Sequence, residues 1–207
     1  MSLPSSSSYE AADYDDASTE DARPSGLVTG KPKPLKYTEL EGFLSAEQVR
    51  WHHDSHYGGA LAKFTALDAE VTGNHRARIA KANSVVLHEL YFDSMTPKQG
   101  GTPNKAVRAA LEPRFGSVER WREDFRAAAL ASRGWATLAW HPVNARLYNM
   151  ATDAHDDGPL WFGVPLVVLD MYEHSYYIDF QNRKADYVDG FLDRIDWDEV
   201  ERRVRTS

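Results

Sequence analysis

The chain has no cysteine. That single absence removes disulfides, thiolate metal sites and cysteine nucleophiles together, so any metal must be held by His, Asp or Glu. It also lacks an apolar run of transmembrane length, and its N-terminus has no apolar signal core, so a cytoplasmic protein with no membrane partner is expected. Basic charge is in deficit: the formal net charge is −7 over 207 residues, which argues against a nucleic-acid footprint. Apolar material is not scarce. With 42% hydrophobic and 12% aromatic residues the chain can bury a substantial core.

Residues 5–26 are rich in Ser, Asp, Glu and Ala without apolar periodicity, and Lys31-Pro-Lys-Pro-Leu-Lys36 alternates charge with proline. Such a stretch buries too little to offset its ordering entropy, so residues 1–36 read as a disordered or extended acidic arm. Ser45-Ala-Glu-Gln48 fits a capping box and opens a first helix through His52 and His56. Gly58-Gly59 then suggest a kink or a close approach before the period resumes. A second helix is expected from Ala77 to Phe92, and residues 94–104, with Pro97, Gly100, Gly101 and Pro103, read as a linker. The helical-hairpin domain would span 37–96.

An α+β domain would follow over 104–207. It has helices at 104–115 and 118–132, three strands (135–140, 146–151, 164–170), and helices around 172–183, 186–195 and 198–203. The fold class is therefore α+β: a helical hairpin, then a domain with a three-stranded antiparallel sheet.

The run Asp170-Met-Tyr-Glu-His174 follows the apolar strand and precedes an aromatic-rich segment that reads as a helix. A carboxylate at a strand end and an imidazole one helical turn later make either a metal half-site or a buried ion pair. His52 and His56 stand at i, i+4, a spacing that also occurs without metal. His88, on an apolar helix, is either a ligand or a hydrogen-bonded core histidine. If His52, His88, Asp170 and His174 meet, three imidazoles and one carboxylate form a set that iron and manganese accept.

From about Thr38 to Arg203 the chain resembles the iron/manganese superoxide dismutase family. The resemblance is carried by Asp170-Met-Tyr-Glu-His-Ser-Tyr-Tyr-Ile-Asp-Phe-Gln-Asn-Arg183 and by Ser45-Ala-Glu-Gln-Val-Arg-Trp-His-His-Asp-Ser-His56, with Phe115-Gly-Ser117 and Gly134-Trp135 in support. It implies one Fe or Mn ion per subunit on His52, His88, Asp170 and His174, and superoxide as substrate. It implies His56 at the rim of the site, Trp135 lining the cavity, and His155 as the residue that orients bound solvent. It further implies a homodimer or tetramer with Glu173 and Tyr177 at the interface. The family's usual channel tyrosine is replaced by Ala60, with Tyr57 as a candidate substitute, and Ser84 stands where some members carry a glutamine. A non-dismutase metalloenzyme with an enlarged channel, or a non-catalytic metal-binding protein on the same fold, are the alternative readings.

Overall fold

A computed structural model describes residues 23–69, 73–98, 100–156 and 163–205. Most of the expected acidic arm, residues 1–22, lies outside the described residues. From Arg23 onward the segment is docked. A single-turn helix α1 (Gly26–Thr29) is capped by Ser25. The amide of Gly26 donates to Glu89 Oε1 at 2.8 Å, and Lys33 reaches Asp93 at 2.6 Å.

The first long helix begins at α2 (Ala46–Arg50), where Ser45 Oγ accepts the Gln48 amide as the capping reading expects. The reciprocal half of that box is absent. The Ser45 amide instead meets Asp179 Oδ2 at 2.7 Å, and the Gln48 side chain turns elsewhere. The helix does not break at the glycines. It widens one turn earlier into a π-helical stretch, Trp51–Tyr57, and continues as α3 (Gly58–Asp68). Such wide turns tend to occur at functional sites, and this one carries His52 and His56. Helix α4 (His75–Asp93) returns antiparallel to it and is buried along most of its second half.

Helices α5 (Lys105–Phe115) and α6 (Val118–Ala131) follow, the second capped by Ser117 as its sequence foretells. Strands β1 (Trp135–His141), β2 (Arg146–Thr152) and β3 (Val164–Asp170) form an antiparallel sheet in the order β2-β1-β3. Trp135 to Ala139 are all buried, as are Pro165 to Asp170. An unbroken buried run means cover on both faces: α4 lies against β3, and α6 against β1 and β2. The register pairs Trp135 with Asp170. Just before β1, Gly134 lies so close to Asp153 that a Cβ would meet its backbone at 2.9 Å.

The expected helix around 172–183 is not one helix. A 3-10 turn (Glu173–Ser175) gives way at Tyr176 to α7 (Tyr177–Phe180), which ends at Gln181 with φ +49°. Ser175 Oγ lies 2.9 Å from Asp170 O and 2.8 Å from Tyr172 O. A hydroxyl bonded to nearby carbonyls competes with a regular helix. Helices α8 (Lys184–Leu192) and α9 (Trp197–Arg205) close the chain.

The two halves are knitted together at the linker. Thr96 and Gly100 donate their amides to Arg194 O and Asp193 O. Arg203, 4% exposed, donates to Leu90 O, Ser94 Oγ and Leu166 O and pairs with Glu199. No helix among the described residues is long and apolar enough to cross a membrane.

Candidate metal centre

His52 descends from the π-helical stretch, His88 from the buried half of α4, Asp170 from the end of β3 and His174 from the 3-10 turn. All four expected ligands converge: one nitrogen or oxygen of each lies within 4.8 Å of the others. The three Nε2 atoms surround a single oxygen, Asp170 Oδ2, at 3.1 Å (His52), 3.5 Å (His88) and 3.2 Å (His174). Ligand atoms each about 2.1 Å from one ion and about 90–120° apart stand roughly 3.0–3.6 Å from one another. The three spacings to Asp170 Oδ2 fall in that range.

His88 Nδ1 lies 2.6 Å from the carbonyl oxygen of Ser84, so Nδ1 carries the proton. Burial, with His52 beside it, drives the His88 pKa down to about 3, so the ring is neutral. Its Nε2 therefore presents a lone pair, is buried, and has no hydrogen-bond partner. That lone pair faces the Asp170 carboxylate. Burial alone would raise the Asp170 pKa, but His174 and His52 outweigh it and hold the carboxyl well below the usual range. Two acceptors facing each other in a site 0–2% exposed repel, and a buried unpartnered polar atom is costly. A cation between them removes both penalties.

The carboxylate and His174 are themselves held. Asp170 Oδ1 accepts the Tyr172 amide at 2.9 Å, which aims Oδ2 at the histidines, and Asp170 O accepts from Tyr187 Oη and Ser175 Oγ. Gln48 is 1% exposed; its Nε2 donates to His174 O at 2.7 Å and its Oε1 accepts the Ile178 amide at 3.1 Å. Gln48 thus ties the turn to the first helix, a role the sequence reading misses.

The other predicted residues surround this cluster. His56 stacks on His174 with ring centroids 4.0 Å apart. Partial burial, with His174 and His52, lowers its pKa to about 4. Trp135 is fully buried, its ring 5.1 Å from His88, and its indole donates to His155 Nδ1 at 3.1 Å. The proton of neutral His155 then sits on Nε2, where the ring can donate. Burial lowers the His155 pKa, and Asn83 holds the residue's carbonyl at 3.0 Å. Tyr177 is half exposed and Glu173 is exposed. Ala60 is buried. Tyr57, the candidate substitute for the channel tyrosine, has its hydroxyl committed elsewhere: it donates to Glu89 Oε1 and accepts the Lys33 amide, both at 2.8 Å.

A comparison with known proteins agrees with this geometry. Residues 103–203 match the family described as iron/manganese superoxide dismutases, C-terminal domain. The chain is 37% identical to manganese superoxide dismutase 1 of Halobacterium salinarum over 188 residues, covering 85% of this chain and 94% of that one. It is 36% identical to the iron superoxide dismutase of Aquifex pyrophilus over 201 residues, covering 88% and 94% respectively. A third relative, the iron superoxide dismutase of Cupriavidus metallidurans, is 35% identical with 98% of its length covered. Likeness over nearly the whole length of these relatives, joined to a cluster of three histidines and an aspartate that needs a cation, places the chain in the iron/manganese superoxide dismutase family.

Proposed function

We propose that the protein is a superoxide dismutase: two superoxide anions and two protons become dioxygen and hydrogen peroxide. The observation that carries this reading is the buried, neutral, unpartnered Nε2 of His88 aimed at the Asp170 carboxylate. His52, His88, Asp170 and His174 would hold one iron or manganese ion per chain. The bound ion supplies a one-electron couple that accepts an electron from one superoxide and returns it to a second. Relatives named for either metal match at similar identity, so both metals are carried forward.

The chain's own residues do the rest. Ser84 O holds the His88 ring with Nε2 inward, and the Tyr172 amide fixes the carboxylate. These contacts preorganise the donor set and set its basicity. Asp170 contributes one negative charge and the neutral imidazoles none, so a bound cation keeps net positive charge and attracts an anion. His155, protonated on Nε2 through the Trp135 bond, is assigned to orient solvent and pass protons. His56 is assigned to the rim. Trp51, Tyr177 and Ile178 are large apolar residues left exposed, and Glu173 is exposed too. Exposed apolar side chains at Tyr177 and Ile178 support a homodimer or tetramer with Glu173 and Tyr177 at the interface.

Stopped-flow superoxide decay on protein loaded separately with iron and manganese tests the reading. Second-order decay proportional to occupied sites is expected with at least one metal. Decay no faster than free metal, at full occupancy with both, would refute it.

A further inference from the structure

The sheet that carries Asp170 at one end bounds a second feature at the other. A cleft of about 570 Å³ lies between α5, the β1–β2 hairpin and α9. Along β1, Trp140 of the cleft is five residues from Trp135 of the metal centre, about 17 Å at ~3.4 Å per residue. Trp140, Leu147, Leu166 and Val204 supply the apolar part of the wall, and polar atoms expose nearly as much. Two guanidiniums, Arg114 and Arg146, stand at the same opening. Both side chains are exposed, and neither pairs with a carboxylate among the described residues. Other arginines do find acidic partners, Arg126 with Asp189 and Arg202 with Glu199 among them. Arg114 is also steadied, its guanidinium 5.3 Å from the Phe115 ring and 6.0 Å from that of Tyr148.

We propose that this cleft is a binding site for a small amphipathic carboxylate: one carboxylate group on an aromatic or branched aliphatic body. The volume is that of a small-molecule site, and such sites join apolar wall to placed polar groups. An apolar body fills the walls. Planar guanidinium forks match a planar carboxylate in two-point contact, a geometry an ammonium lacks. Two unpaired cations on an otherwise acidic protein suit a monoanion better than a polyphosphate, whose remaining charge would find no partner. The site is separate from the metal centre and does not depend on its redox chemistry.

Calorimetric titration of metal-loaded protein with 1-naphthoate, and with neutral 1-naphthamide as control, tests it. Saturable binding of one naphthoate per chain is expected, with the amide about tenfold or more weaker. Arg114→Gln and Arg146→Gln should each weaken naphthoate about tenfold or more, since charge-assisted hydrogen bonds are lost from an exposed rim, with the unfolding midpoint moved by no more than about a few degrees. Ala109→Trp, on the exposed side of the lining, should block binding by filling the cleft. Equal affinity for acid and amide would overturn the proposal. So would affinity for naphthoate unchanged in both arginine variants, which would send the carboxylate elsewhere, and so would no binding at millimolar concentration.

Discussion

The metal centre draws its ligands from two kinds of scaffold. His52 and His88 sit on long helices whose packing fixes them: α3 and α4 lie side by side, and the His88 ring is locked by a carbonyl of its own helix, Ser84. Asp170 and His174 come from a strand end and a 3-10 turn, which have little regular structure to fix them. They are positioned instead by individual hydrogen bonds from Tyr172, Ser175, Tyr187 and Gln48. The helical pair is held by many weak contacts, the turn pair by a few strong ones. The first arrangement resists a single substitution; the second does not.

The largest effect is expected from removing the shared ligand. Asp170→Asn takes away the anion that all three imidazoles face, so metal analysis after dialysis should show occupancy near background and superoxide decay near that of free metal. Gln48→Ala comes next. It removes the part-buried hydrogen bonds to His174 O and from the Ile178 amide, at roughly 1 kcal/mol each. Urea unfolding should show a loss of about 2 kcal/mol, and metal should be released faster. A comparable trimming on the helical side, Leu61→Ala, should cost about 2–5 kcal/mol of stability while leaving metal release slower than in Gln48→Ala. If the two variants release metal at the same rate, the contrast between the scaffolds fails.

A fourth variant acts on the docked segment that braces the helices. Burial opposes ionisation of Asp93, but Lys33, with Arg23 and Lys36, overcomes it and holds the carboxyl below its ordinary value. A carboxylate with a depressed folded-state pKa stabilises above its unfolded value, about pH 4, and that stability is lost as pH falls through the lower folded value. Asp93→Asn should cost about 1–3 kcal/mol at neutral pH and speed amide exchange at Gly26 and Lys33. It should also flatten the acid limb of the stability profile; an unchanged limb would show that the ion pairs do not hold the segment.

The smallest effect is expected at Trp135→Phe. The lost indole donor to His155 is worth roughly 1 kcal/mol. Metal content should stay unchanged while decay slows several-fold. Unaltered decay would remove His155 from proton handling.

What could be read from the sequence follows the same division. Helices carrying His52 and His88 announce themselves by caps and apolar period, and β1 to β3 by their apolar runs, so the α+β plan was legible; the ligand set was legible only through the family resemblance of the motifs around His52 and Asp170. The route from Asp170 to His174 was not. Their spacing of four suggests a helical turn, but Ser175 bonds backward to carbonyls and the chain forms a 3-10 turn instead. Gln48 looks like half of a capping box; its partners, His174 O and Ile178 N, are more than 100 residues away in sequence and become visible only in the folded chain. Arg23 and Lys33 lie in a stretch whose composition suits solvent, yet Glu89 and Asp93 give that stretch buried partners. Local pattern encodes the scaffold, while long-range single contacts encode the fine placement of the site.

Anomalous diffraction from crystals grown with stoichiometric iron or manganese tests the central claim most directly. One peak per chain is predicted, about 2.1 Å from His52 Nε2, His88 Nε2, Asp170 Oδ2 and His174 Nε2. A peak elsewhere, or none at the four-residue cluster in fully loaded protein, would contradict it.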